Sequence, residues 1–353
     1  MTIRRSAVVG AILGTAVGDA LGLPYEGLSP RRAQRLLGTP DRYRFLVGRG
    51  MVSDDTEHAC MVMQAVMAAG DDVHRFTHDL AWRLRFWLLG LPAGIGLATL
   101  KGTLRLWLGV PPQRSGVFSA GNGPAMRSVV LGTVIDDLDL LRRLVTASTC
   151  LTHTDPKADY GAFAVALAAQ MASSADQPDA ARFTADLRRC LADPASEEFL
   201  ALVNRTVASV SCRETTEAFA ASMGWSKGVS GYIYHTVPVV LHAWLSHHCD
   251  FRAAVTSVIR CGGDADTTAA IVGGIVGSAV GKEGIPTEWL NRLAERPRSV
   301  AWMERLGEEL ASVRTAGASR RPPRLALVPL ILRNLLFTTV VLGHGFRRLL
   351  PPY

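Results

Sequence analysis

Apolar residues recur along most of this chain at the three-and-four spacing of a helix, and no stretch alternates convincingly at the two-residue period of a strand. Segments 6–22, 74–90, 96–109, 136–151, 201–222 and 284–315 read as helices. The first, SAVVGAILGTAVGDALG, carries Gly10, Gly14, Gly18 and Gly22, a smooth stripe on which another helix can lie close. A membrane dimer is the other use of that spacing, but Asp19 within the run favours a soluble core, and Pro24 ends the helix. Residues 30–50 are Arg-rich and irregular and read as a surface loop, as does the polar, Asp/Pro-rich stretch 173–200. The expected fold class is all-α: one compact multi-helix domain over residues 1–315, with functional groups at helix ends.

The pattern breaks at two acidic clusters. In CGGDADTTAAIVGGIVGSAVG, Asp264 and Asp266 stand two residues apart, followed by Thr267 and Thr268. Residues at i and i+2 do not share a helix face, so the pair suits a turn leading into a helix. There both carboxylates can converge on one cation. The ordinary reading is a Gly-Gly turn with Asp and Thr as helix caps, and Arg260 is an alternative partner for the acids. Ser53-Asp54-Asp55-Thr56-Glu57 opens a second helical pattern that ends at Gly70, with the same order of hydroxyl, two acids and hydroxyl. Two such clusters can jointly build a two-cation site, whose ions commonly lie roughly 3.5–4 Å apart. Carboxylate and hydroxyl oxygens suit Mg²⁺ or Mn²⁺.

Shorter signals surround these clusters. Glu26 lies in LPYEGLSP, a Gly/Pro-flanked loop where a lone Glu is ordinarily solvated. Gly121-Asn122-Gly123 is a tight turn before a helix whose first position suits Pro124. Such a turn can offer N–H groups to a phosphate, although a plain turn is the simpler reading. His153 interrupts two helices and serves there as a cap or a ligand-stacking group. Tyr232 opens a helix after a glycine-rich loop.

Composition narrows the classes. Hydrophobic content of 48% with 20% charge supports a large core and argues against disorder. The six cysteines are scattered with no CxxC pair, which fits free thiols in a reducing compartment; with no secretory pattern at the N-terminus, a cytoplasmic location is expected. The net charge of +7 is nearly all arginine, but no stretch interleaves basic and aromatic residues, so specific nucleic-acid binding is not expected. Much of the excess lies in a linker, 316–324, and an apolar tail, 325–353. About 20 apolar residues span a bilayer. Arg333, however, costs roughly 2.5–3.5 kcal/mol at a helix centre, and Pro329 disturbs the first part. A marginal anchor, an interfacial helix and a helix docked on protein compete, and membrane association through 325–353 is the expectation.

With these motifs in place, the chain resembles the ADP-ribosylglycohydrolase family, which includes the dinitrogenase-reductase-activating glycohydrolases. The likeness runs from about Val8 to Leu290 and rests on GAILGTAVGDALGLPYEG, SDDTEHA, GNGPAMR, THTDP and GGDADTTAAIVGGIVGS, in the family's order. The resemblance implies an all-α domain with two Mg²⁺ or Mn²⁺ ions that hydrolyses the N- or O-glycosidic bond of an ADP-ribosylated protein or related conjugate. It implies Ser53, Asp54, Asp55, Asp264, Asp266 and Thr267 as metal ligands, with Ser53 where the family usually has Thr. It places Glu26 at the substrate ribose, Gly121, Asn122 and Gly123 near the diphosphate and distal ribose, and His153 and Tyr232 against the ligand. Hydrolysis at C1 of ribose needs an activated water, and Glu26, Asp54 and Asp55 remain alternatives for the general base. A catalytically inactive ADP-ribose or nucleotide-binding module is the other reading; the complete acidic set favours catalysis.

Overall fold

A computed structural model describes residues 4–45, 47–174 and 177–348. Its regular elements are, in chain order, α1 (Arg5–Gly22), α2 (Pro30–Leu37), α3 (Asp54–Ala69), α4 (Val73–Leu89), α5 (Leu97–Trp107), α6 (Val129–Gly132), α7 (Leu138–Cys150), α8 (Pro156–Ser174), α9 (Ala180–Cys190), α10 (Glu197–Ser211), α11 (Thr216–Ser222), α12 (Ile233–Ser246), α13 (Phe251–Arg260), α14 (Ala265–Val280), α15 (Thr287–Arg292), α16 (Val300–Thr315) and α17 (Leu327–Arg347). Among the described residues there is no sheet, only isolated bridges between loops. The expected all-α class is the observed one.

The glycine stripe does what its spacing predicts. Helix α1 runs antiparallel to α14, and a Cβ on Gly10, Gly14, Gly18 or Gly22 would come within 2.0–2.3 Å of the carbonyl oxygens of Gly277, Gly273, Ala269 and Ala265. The two backbones therefore touch without intervening side chains. Helices α1, α8 and α14 are buried on nearly every side, which is why their apolar positions fill the helix instead of forming one stripe. This seam carries Asp19, near the end of α1, to the level where α14 begins.

Two expected loops are helical. Ser29-Pro30 starts α2, with proline in its first turn, and the Asp179 side chain accepts from the Arg182 N–H to start α9. Both helices are polar and bury only one or two residues, so apolar periodicity does not announce them. Stretch 201–222 belongs to two helices, α10 and α11. Pro124 precedes a 3₁₀ turn, Ala125–Arg127, where the start of a regular helix was expected.

The tail lies on the domain. The Arg320 N–H donates to the Met67 carbonyl at 2.9 Å, and Gln64 Nε2 donates to the Pro323 carbonyl at 2.7 Å. Helix α17 then docks through Leu330, Arg333, Asn334 and Phe337. The Arg333 guanidinium lies 2.8 Å from the Glu295 carboxylate and 3.5 Å from Glu57, which also pairs with Arg298 at 2.6 Å. Asn334 Nδ2 donates to the Gly90 carbonyl at 2.7 Å. The arginine that argues against a spanning helix is thus neutralised inside protein.

Candidate active site at the converging helix starts

Ser53 caps α3. Its Oγ accepts the Asp55 N–H at 3.3 Å and donates to Asp55 Oδ2 at 3.2 Å. The other cap comes from α1. The Asp19 carboxylate accepts the Ser53 N–H at 2.9 and 3.0 Å, the Thr56 N–H at 3.2 Å and the Thr56 hydroxyl at 2.6 Å. Burial pushes Asp19 up to about 6, with the hydrogen bonds from Thr56 and Ser53 pulling the other way. Asp19 was not expected in the site. Its one sequence signal is being the only acid in a glycine-striped, predominantly apolar helix.

Helix α14 starts from a knot of three loops. Gly262 and Gly263 have φ of 66° and 80°, the left-handed region, and a Cβ on Gly263 would meet the Val229 carbonyl oxygen at 2.1 Å. The Gly27 N–H donates to the Gly263 carbonyl, the Gly263 N–H to the Leu28 carbonyl and the Asp264 N–H to the Val229 carbonyl, at 2.7–2.8 Å. The knot fixes Glu26, Gly231 and Asp264 around one opening. Thr267 Oγ1 donates to Asp55 Oδ2 at 3.2 Å, joining clusters 212 residues apart.

The result is a cavity of about 350 Å³. Glu26, Asp54, Asp264, Asp266 and Thr267 line it, with Gly121, Asn122, Gly123 and His153 also on its wall. Ser53 and Asp55 are buried beside the wall. Asn122 donates through Nδ2 to Asp264 Oδ2 at 2.5 Å and to Thr236 Oγ1 at 2.9 Å, while its N–H is spent on the Gly231 carbonyl. It is a holder of Asp264, a role the turn motif did not suggest. The glycines around it make room for an imidazole: a Cβ on Gly123 or Gly121 would lie 3.0 or 3.1 Å from the His153 ring. Tyr232 is one residue past the wall at Gly231, and its hydroxyl accepts from Lys157 Nζ at 3.2 Å.

Electrostatically the site is a concentration of uncompensated acids. Burial holds Asp54, Asp55 and Asp266 well above the usual carboxylate range, and neighbouring carboxylates push each further. Asp264 is also raised, first by burial; Glu26, whose side chain is solvent-exposed at the cavity, is raised by partial desolvation and by Asp264, and Arg348 lowers it. Asp55 Oδ1 and Asp266 Oδ1 are buried without a hydrogen-bond partner. His153 is held down at about 3 by burial and by Arg127, so its ring is neutral. The Thr152 hydroxyl accepts from Arg127 Nη2 and lies 2.8 Å from His153 Nδ1, an arrangement that favours the proton on Nε2.

The tail reaches this site. Arg348, one residue beyond α17, donates to the Glu26 carbonyl at 2.7 Å and also to the Pro24 carbonyl, while its own carbonyl accepts from Arg32 at 2.7 Å. His344 Nε2 lies 3.0 Å from the Pro24 carbonyl. A basic tail gives no hint in sequence of this contact.

A family model described as ADP-ribosylglycohydrolase matches residues 1–319. An uncharacterised protein of Archaeoglobus fulgidus is 33% identical over 292 residues, 81% of this chain and 90% of its own. The ADP-ribosyl-[dinitrogen reductase] glycohydrolase of Rhodospirillum rubrum is 28% identical, over 81% of this chain and 89% of its own. Among solved structures, an ADP-ribosylglycohydrolase-related protein complex aligns with a TM-score of 0.61 at 26% identity, covering 88% of this chain and 99% of its own. The chain belongs to the ADP-ribosylglycohydrolase family and is a hydrolase of the glycosidase type.

Proposed function

We propose that the protein hydrolyses the N- or O-glycosidic bond at C1 of an ADP-ribosyl group carried by a protein or a related conjugate, with two Mg²⁺ or Mn²⁺ ions at the acid cluster. The observation that carries the metal reading is the pair of orphaned buried oxygens, Asp55 Oδ1 and Asp266 Oδ1, among carboxylates that repel one another. Buried unpaired charge is costly and calls for a cation. No three His, Cys, Asp or Glu side chains among the described residues stand in a ready-made cage, so the support is the charge and the unpartnered oxygens. Ser53, Asp54, Asp55, Asp264, Asp266 and Thr267 would hold the ions, which when bound supply positive charge that orients ribose hydroxyls and lowers the pKa of water.

The chain's own groups divide the remaining work. Ser53 and Thr267 orient Asp55, and Asn122 orients Asp264. Neutral His153 presents its ring to the substrate between Gly121 and Gly123. Glu26 stands at the cavity with a raised pKa, suited to pass a proton. Asp54 and Asp55 are the other carboxylates able to take the water's proton. In the reaction the water oxygen bonds to C1, the bond from C1 to the acceptor nitrogen or oxygen breaks, and the acceptor leaves with a proton. The dinitrogen reductase glycohydrolase relative supports a protein-borne ADP-ribosyl substrate. Cytoplasmic residence belongs to the same proposal, supported by buried Cys60 and Cys261, neither of which is in a disulfide.

The test is release of ADP-ribose from an ADP-ribosyl-arginine protein and an ADP-ribosyl-serine peptide, with Mg²⁺, with Mn²⁺ and with chelator. Cation-dependent release from one substrate is expected and names the linkage. Release unaffected by chelation would overturn the metal reading, and no release from either, with ADP-ribose still bound, would favour the binding module.

A further inference from the structure

Helix α17 has a mixed inner face that docks on the domain and an apolar outer face that no described residue covers. The inner face, Leu330, Arg333, Asn334 and Phe337, is buried on the domain. The outer face carries Val328, Leu332, Leu335, Leu336, Leu342 and Phe346, each 52–68% exposed. Their spacing of four, three, one, six and four residues keeps them on one stripe of the helix. Contiguous exposed apolar surface of this kind marks an interaction site.

Charge indicates what the stripe meets. Immediately before α17, Arg320, Arg321 and Arg324 line a cleft of about 350 Å³ together with Arg75 and Arg83. Asp79 is the one acid on that wall, and it is already paired with Arg83. Exposed Arg347 lies at the other end of the helix. Arginines flanking both ends of an apolar helical stripe are complementary to anionic headgroups over acyl chains.

We propose that α17 is a peripheral anchor that lays its Val328–Phe346 stripe in the interface of an anionic membrane, while its inner face stays on the domain. The helix is long and apolar enough to cross a bilayer by length and composition. Crossing would strip Arg333 from Glu295 and leave both charges unpaired, so the helix lies flat. Its far end reaches the Glu26 loop through Arg348, so the same helix contacts both the proposed lipid surface and a wall of the substrate cavity. This inference is independent of the hydrolytic reading.

The test is flotation of the full chain with vesicles of phosphatidylcholine, with and without phosphatidylglycerol, read beside its sedimentation behaviour in the absence of lipid. Binding is expected only to the anionic vesicles. Each arginine lost from Arg320, Arg321 or Arg324 by substitution to Gln should weaken it about five-fold. L332E with L336E, both on the exposed side, should abolish it and leave helical content and thermal midpoint unchanged. No binding to anionic vesicles overturns the proposal. So does binding that survives L332E/L336E, or a self-associating chain that those substitutions make monomeric and that ignores vesicles, which would assign the stripe to a second copy.

Discussion

The Asp19 carboxylate accepts the Thr56 hydroxyl at 2.6 Å, so the end of one buried helix caps the start of another that bears the first acidic cluster. Replacing Asp19 with Ala strands the Ser53 and Thr56 N–H groups in the interior. The expected loss is about 1–3 kcal/mol, measured by urea unfolding. Turnover should fall as well, because Asp54 and Asp55 follow the cap they stand on.

Chelated protein should melt below protein with Mg²⁺ or Mn²⁺, by an amount equivalent to about 2.7 kcal/mol at a hundred times the dissociation constant. Asp266→Asn should reverse the first half of that comparison. It removes one of the mutually repelling carboxylates, so the chelated variant melts above chelated wild type, while its response to cation shrinks and its activity collapses. A variant that melts lower in chelator would argue against repulsion in the cluster.

His153 supplies a pH signature. Its folded-state pKa is depressed, from 6.5 to about 3, so the stability it gives is complete above 6.5 and is lost as pH falls through that window. The difference in unfolding free energy between wild type and His153→Gln should therefore narrow from pH 6.5 downward and level off near 3. Denaturant titrations of both chains across pH would show it, and a difference that widens on acidification would refute the assignment.

Gly18→Ala places a methyl 2.0 Å from the Ala269 carbonyl oxygen, where only backbone can give way. A cost of about 1–3 kcal/mol or more is expected. Gly27→Ala meets nothing within 4 Å, but its φ of +70° should cost about 1–2 kcal/mol. Calorimetry on the two variants separates steric from conformational glycines.

Arg333→Met removes the partner of Glu295 and should cost about 3–5 kcal/mol. Adding Glu295→Gln should recover much of it. Equal losses in the single and double variants would mean that the ion pair does not hold the tail.

Which parts were legible follows from the range of the interactions. The glycine stripe, the paired Asp clusters and the caps at Ser53 and Gly70 are local, and the structure places each where its pattern points. The short polar helices α2 and α9 carried only cap signals, Ser29-Pro30 and Asp179, and apolar periodicity passed over them. Asn122 reads as a turn residue because its partner, Asp264, is 142 positions away. Arg333 looks like an obstacle to membrane insertion until Glu295 is seen beside it. Asp19, Asn122 and Arg348 share one property: each acts on a group that only the fold brings near.

The seam between α1 and α14 has a consequence for synthesis. Its two halves lie at residues 10–22 and 265–277, so the first must wait for the second at the ribosome. At 5–20 residues per second that interval is on the order of ten to fifty seconds. Throughout it, a helix apolar enough to pass as a membrane span has no partner for its glycine face. Such a nascent chain invites capture by targeting factors or aggregation, so production of active protein should depend on chaperones that shield its first helix until the last quarter of the chain arrives.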